Sequence, residues 1–199
     1  MENEYIIFDT EYTSWAGAQE SNWAEPWQEQ EVVQIAALKI KGDKVIDSFD
    51  CLVRPSKNPL LSEYFTNLTG ITNSDIQEHA IGFNRAYNNF IDFARGYVCY
   101  SCATGQALEH KSDGVILDIN LGLNDSEPKE GIDYRNIAYI IYSLAEEKGV
   151  DLPPLASGEM AGHLGLHKDV KKLSKIGDPH YALYDCYSLL VTLNHLQNL

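Results

Sequence analysis

The sequence predicts an α/β fold, a mixed sheet covered by helices, from three observations. The apolar run Tyr5-Ile6-Ile7-Phe8 reads as a buried central strand. Two further β-rich runs, Glu31 to Lys41 and Lys44 to Arg54, flank Gly42-Asp43, a good two-residue hairpin turn, so the first three strands form an antiparallel meander. A later strand, Tyr97 to Ser101, is reached only through helical segments, which implies a crossover and a parallel pairing with the first strand.

Between the first strand and the hairpin lies a polar loop, roughly Tyr12 to Gln30, that carries all three tryptophans, Trp15, Trp23 and Trp27. After Pro55 and Pro59, short helices over Leu61 to Leu68, closed by Gly70, and over Asn73 to Glu78 precede an amphipathic helix from about Phe83 to Ala94, stopped by Gly96. Beyond the Tyr97 strand the segment Ala103 to Lys111 is irregular, and Asp113 reads as the cap of a helix to about Leu121. A helix over Tyr134 to Glu147 sets Ile137, Ile140, Ile141 and Leu144 on one face, and Pro153-Pro154 separates it from the C-terminal third. There, short helices near Gly158 to Leu164 and Lys168 to Ser174 lead through Gly177-Asp178-Pro179-His180 to a last helix, Tyr181 to Leu196. No repeat or linker interrupts the 199 residues, which are most economically one domain, 1–199.

Apolar residues at 44% and charged residues at 22% are ordinary for a globular protein, but the net charge of -14 is not. It excludes indifferent gripping of duplex nucleic acid, which needs many phosphate contacts. It leaves room for a protein that holds a few nucleotides of one strand through metal ions and stacking. No apolar run is long enough to span a membrane and the first strand starts about four residues in, so a cytoplasmic location with no membrane partner is expected. The four cysteines, Cys51, Cys99, Cys102 and Cys186, include one C-x-x-C. Strand alternation sends Cys99 and Cys102 to opposite faces, and reduced structural roles are expected, with zinc or redox chemistry at this pair as a rival reading.

Two stretches carry chemistry. The first strand ends in Asp9-Thr10-Glu11, and alternation points Asp9 and Glu11 the same way. Like charges side by side at the end of a buried strand repel and lose solvation, so cations stabilise them, and hard carboxylates suit Mg²⁺ or Mn²⁺. The bland alternative is a solvated strand end. Late in the chain, Asp185 falls within a helix otherwise filled with leucines, where a carboxylate needs a partner. On an ideal helix five residues turn about 140° beyond a full circle, so His180 belongs on the loop ahead of the helix, its approach fixed by Pro179, leaning over a site that Asp185 helps to build. Here the alternative is a capping histidine and a solvated aspartate.

An apolar strand ending D-x-E (Phe8-Asp9-Thr10-Glu11) and a late H-x₄-D (His180, Asp185), in this order, resemble the motifs of the DEDDh family of 3′-5′ exonucleases. The Val53-Arg54-Pro55 corner and Leu68-Thr69-Gly70-Ile71-Thr72 are further family-like features, and the likeness covers nearly the whole chain. It implies a ribonuclease H-like fold, a mixed five-stranded sheet (antiparallel meander plus parallel strands) flanked by helices. The middle motif departs from the pattern: its register gives Ser101-Cys102-Ala103-Thr104-Gly105-Gln106, with glutamine where the third acidic ligand belongs. An insertion that displaces the ligand to Asp113, which has Ile116 and Leu117 behind it, is the favoured reading; Asp118 is the reserve, and with neither the site would be degenerate.

The resemblance also implies two Mg²⁺ or Mn²⁺ ions roughly 4 Å apart. Asp9 would bridge them, Glu11 and Asp185 would share one, and Asp113 would complete the other. His180 would take the proton of the attacking water. Thr10, Trp15, Phe65 and Leu68 would contact substrate, Trp15 stacking on the terminal base and Phe65 or Leu68 wedging between the last two. Trp23 and Trp27 equally suit pinning the loop to the core. The expected activity is metal-dependent 3′-5′ exonucleolysis at 3′ ends of single-stranded RNA or DNA; the alternative is a catalytically degenerate module that binds nucleic acid or protein.

Overall fold

The N-terminal apolar run becomes β1 (Glu4–Tyr12), which pairs antiparallel with β2 (Val32–Lys41), itself antiparallel to β3 (Lys44–Arg54). This computed structural model describes residues 2–104, 113–129, 132–175 and 179–199. Most of the segment expected to be irregular, with Gln106 of the middle-motif register, and the Gly177-Asp178 pair lie outside those residues. The helices α1 (Glu63–Thr69) and α2 (Asn73–His79) follow, then the two-residue β4 (Ile81–Gly82) and α3 (Phe83–Ala94). α1 closes on Gly70, whose φ of 76° is the left-handed cap that glycine adopts without a Cβ penalty. Next come β5 (Val98–Ser101), α4 (Asp113–Leu123), β6 (Asp133–Asn136) and α5 (Ala138–Lys148). Three helices complete the chain: α6 (Ser157–His163), α7 (His167–Ser174) and α8 (Ala182–Gln197).

Among the described residues the sheet has six strands in the order β4-β3-β2-β1-β5-β6, one more than the five expected. As the crossover requires, β5 lies parallel to β1. β6 corrects the expected helix over Tyr134 to Glu147: its first residues pair parallel with β5, Val98 opposite Asp133 and Ser101 opposite Asn136. The helix starts later because the Asn136 carboxamide oxygen accepts from the Ala138 amide at 2.9 Å and from the Ala103 amide at 3.2 Å. An asparagine that binds backbone amides in this way favours a helix start over a helix interior.

Alternation along β1 divides the core in two. Tyr5 and Ile7 pack on one face with Leu189, Leu193 and Ile141 of α8 and α5. Ile6 and Phe8 pack on the other with Phe90 of α3 and Leu117 of α4. Each fully buried side chain of this size contributes about 1.5–3 kcal/mol. Cys99 joins the second layer and Cys102 packs against the first, and all four cysteines are free thiols. No helix among the described residues is long and apolar enough to cross a membrane.

Candidate active site

A cleft of about 610 Å³ opens at the C-terminal end of β1. Parallel pairing with β5 extends only through Ile6–Cys99 and Ile7–Tyr100, so the strands part just before Asp9. On the other side the register with β2 slips between Glu11 and Tyr12. Strand ends that part at a change of direction leave a crevice, the usual ligand position in open α/β sheets, and bulges often mark such sites.

The alternation that splits the core also sorts the site. Asp9 and Glu11 continue the face of Tyr5 and Ile7, toward α8, and carboxyl oxygens of Asp9, Glu11 and Asp185 lie within 4.8 Å of one another. Thr10 continues the opposite face, toward α4. There the Asp113 carboxylate accepts from the Thr10 amide at 2.9 Å and from its hydroxyl at 2.6 Å. Asp113 therefore lines the cleft, whereas Asp118 is exposed and is not among the cleft-lining residues.

Four carboxylates collected in this way resist ionisation. Burial, then the charges of Asp113, Asp185 and Glu11, hold the Asp9 carboxyl well above its usual range. Glu11 is raised by burial and by Asp185 and Asp113. Asp113 is pushed up to about 6 by burial, against the pull of the Thr10 hydroxyl and amide. Asp185 is pushed up to about 7 by burial, against the His180 amide, the Ser157 hydroxyl and the Gly158 amide. The three carboxylates that meet within 4.8 Å, Asp9, Glu11 and Asp185, offer an all-oxygen set with uncompensated charge that fits a hard divalent cation, which would favour their ionised form.

His180 sits ahead of α8, as the spacing requires, and lines the cleft. Its φ of 63° is left-handed, uncommon for a residue with a Cβ, and its amide donates to Asp185 Oδ1 at 3.1 Å. Strained backbone of this kind gathers at sites where surrounding structure over-determines a conformation.

Sequence reasoning missed the first turn of α6. Ser157 Oγ lies 3.1 Å from Asp9 Oδ1 and 3.3 Å from Asp185 Oδ2, so one hydroxyl spans two carboxylates from opposite ends of the chain. Gly158 has no room for a side chain: a Cβ there would stand 2.2 Å from Asp185 Oδ1. The turn is anchored by Ser188, one turn beyond Asp185 on α8, whose hydroxyl donates to the Ser157 carbonyl at 2.7 Å. The only sequence signal was Ser-Gly at a helix start, which on its own reads as an ordinary cap.

The rim is aromatic. Trp15, Trp23, Tyr64 and Leu68 line the cleft. Trp15 meets Trp27 edge to face at 4.8 Å, and Trp23 leans on Tyr12 at 5.5 Å with its indole N–H donating to the Thr13 carbonyl. Phe65 is a correction: it is 1% exposed, packed with Val33, Leu61 and Ile71, and cannot wedge between bases. α1 turns Phe65 into the core, and Tyr64, which the sequence did not single out, faces the cleft in its place. Thr10 lines the cleft too, but its hydroxyl is engaged by Asp113.

The tryptophan segment is fastened at both ends. The Thr13 hydroxyl donates to the Glu29 carbonyl and accepts from the Glu31 amide, and Asn120 receives the Val32 amide at 2.9 Å while donating to the Gln30 carbonyl at 2.7 Å. The buried Glu31 carboxylate accepts the amides of Ser56, Lys57 and Asn58 at 2.5, 2.8 and 2.6 Å.

Comparison with known proteins agrees with this architecture. The family model RNase_T, described as Exonuclease, matches residues 6–113. The DNA polymerase III PolC-type protein of Caldanaerobacter subterraneus subsp. tengcongensis is 30% identical over 98 residues, 49% of this chain and 6% of that protein. Among solved structures, cell-death related nuclease 4 superposes with a TM-score of 0.69 at 21% identity, over 98% of this chain and 64% of that one. The nuclease domain of 3′hExo, described as a DEDDh family member and bound to rAMP, superposes with a TM-score of 0.64 at 19% identity, over 98% and 92%. These likenesses bear on the fold; the chain spans only a small part of the polymerase it matches.

Proposed function

The chain belongs to the RNase_T exonuclease family, and from that premise we propose that its 199 residues act as one exonuclease domain, removing nucleotides from the 3′ end of single-stranded RNA or DNA with Mg²⁺ or Mn²⁺. The observation that carries this reading is the convergence of Asp9, Glu11 and Asp185 within 4.8 Å, with Asp113 beside them and His180 at the edge of the same cleft. The rAMP bound by the 3′hExo nuclease domain supports a nucleotide as occupant. The position of Asp113 speaks for an enzyme over a degenerate binding module, because it supplies the acidic group that the middle-motif register lacks.

In this reading Asp9, Glu11, Asp113 and Asp185 would hold two divalent ions. Such ions, when bound, neutralise the scissile phosphate and stabilise the leaving 3′ oxygen. An imidazole nitrogen of His180 accepts the proton of the water that attacks phosphorus; the P–O3′ bond breaks, the leaving 3′ oxygen takes a proton from solvent, and a nucleoside 5′-monophosphate and a strand with a new 3′-hydroxyl are released. Losing a general base of this kind typically costs 10²–10⁴-fold. Trp15 stacks on the terminal base and Leu68, with Tyr64, separates it from the next. Ser157 and the His180 amide keep Asp185 aimed at Asp9 while Thr10 does the same for Asp113.

The test is incubation with 5′-labelled single-stranded RNA and DNA, with Mn²⁺ or with EDTA. A ladder shortening from the 3′ end only with metal, and slowed about 10²–10⁴-fold by His180→Ala, is the expected result. Metal-independent cutting, or cutting within the strand, would overturn it.

A further inference from the structure

We infer that the exposed face of α7 is a second nucleic-acid contact, which binds phosphates of the single strand upstream of its reacting 3′ end. This inference rests on the exonuclease reading and extends it from the terminal nucleotides to the strand behind them.

Lys168, Lys171 and Lys172 recur at i, i+3 and i+4, so α7 presents these three within about 100° of one helix face, and Lys175, the left-handed cap residue, follows at its C-terminal end. All four are exposed. The opposite face is the packed one: Val170 is buried with Ala161, Tyr184 and Val191, and Ser174 is buried beside it. Against Asp169 alone, the four lysines give residues 167–175 a charge of +3 in a chain of net -14, so the remaining residues carry -17. Like charges at these spacings weaken a helix, and the helix dipole offsets this only in the last turn.

Position makes the concentration meaningful. The lysine face ends at Lys175, five residues before His180, and five residues of chain span at most about 18 Å. That is the length of about five nucleotides at the 3.4 Å spacing of a stacked strand. α7 packs on α8, the helix that carries Asp185, so the face is tied to the site through rigid structure as well as through the chain. Within the cleft, the described lining residues include no lysine or arginine; there carboxylates and aromatic rings suit metal ions and bases. The strand's own charge is met by the α7 face, whose charge is complementary to phosphate and whose sparse, flexible ammonium groups need no duplex geometry.

The test compares wild type with a K168Q/K171Q/K172Q/K175Q variant and an all-arginine counterpart, on a labelled strand of about twenty nucleotides and on a dinucleotide, from about 50 to 200 mM salt. Each phosphate contact on a single strand contributes about 0.7 to the slope of log affinity against log salt. The glutamine variant is therefore expected to lose about 2–3 of that slope on the long strand and to raise its KM about tenfold near 0.1 M salt. The dinucleotide, too short to reach the patch, keeps its KM, and the arginine variant keeps both properties. Equal slopes and KM in wild type and glutamine variant, or an equal loss on the dinucleotide, would overturn the inference. Should wild type hydrolyse neither substrate, the exonuclease reading fails, and fluorescence anisotropy of the labelled strand still decides the patch: undiminished binding by the glutamine variant rejects it.

Discussion

On the floor of the cleft each carboxylate but Glu11 has a donor from another residue within reach: Asp113 accepts from Thr10, Asp185 from the His180 amide, and the Ser157 hydroxyl lies within hydrogen-bond distance of both Asp9 and Asp185. At the rim, Trp15 rests on Trp27 and Trp23 on Tyr12, in a segment whose middle is largely exposed and whose Asn22 and Trp23 both adopt positive φ. The floor is a hydrogen-bonded constellation and the rim a largely exposed aromatic surface fastened at its ends. Charge placement, where a small displacement costs rate, needs the first; base stacking, which tolerates any base, needs only the second.

The largest effect that sharpens this contrast is Asp9→Asn. On the floor it should lower kcat by about 10³-fold or more. Because it removes one of several mutually repelling buried carboxylates, it should also raise the metal-free melting temperature at pH 8. Rate assays and thermal melts on one sample check both; a variant that loses stability along with activity would mean that Asp9 supports the fold instead. Next is Ser157→Ala, expected to weaken Mn²⁺ binding about 10–100-fold by calorimetry, the usual cost of losing a group that orients a metal ligand. Unchanged affinity would mean that the hydroxyl merely fills space. Trp15→Ala, at the rim, should raise KM by about tenfold with kcat nearly intact, consistent with one lost stacking contact. A fall in kcat as large as that of the floor variants would erase the distinction.

The smallest effect is one of pH. In the metal-free protein Asp113 and Asp185 titrate near 6 and 7, above the value of about 3.9 for an unfolded chain. Between those limits the folded state holds more protons, so stability falls as pH rises from about 4 to about 7. The metal-free protein should melt lower at pH 8 than at pH 5, and Mn²⁺ at about a hundredfold over its Kd should raise the pH 8 melt by about 5–10 °C. A metal-free melt that climbs with pH through this window would contradict the floor as described.

Legibility followed the same division. Asp9, Glu11, His180 and Asp185 were readable because their spacing relates directly to strand alternation and a helix start. Asp113 was readable only in part, since the chain before it breaks the register that would have identified it. Ser157 and Gly158 were not, because a hydroxyl and a missing Cβ acquire meaning only once α6 lies on α8. Phe65 and Tyr64 were exchanged because neighbours on a short helix face different ways, and a shift of one residue reverses which is buried. β6 was missed for a like reason: Asp133-Tyr134-Arg135-Asn136 has little strand character, and a neighbouring strand supplies what its own residues lack.

Glu31 gives the molecule a modular character. Its carboxylate rivets residues 56–58 to the start of β2, and hydrogen bonds to a charged acceptor contribute about 1.5–3 kcal/mol each. With Thr13 securing the other end, the chain between these two fasteners can change length or composition without tugging on the meander beneath. A different loop, grafted between Thr13 and Glu31, would leave the carboxylate floor as it is and present a different rim.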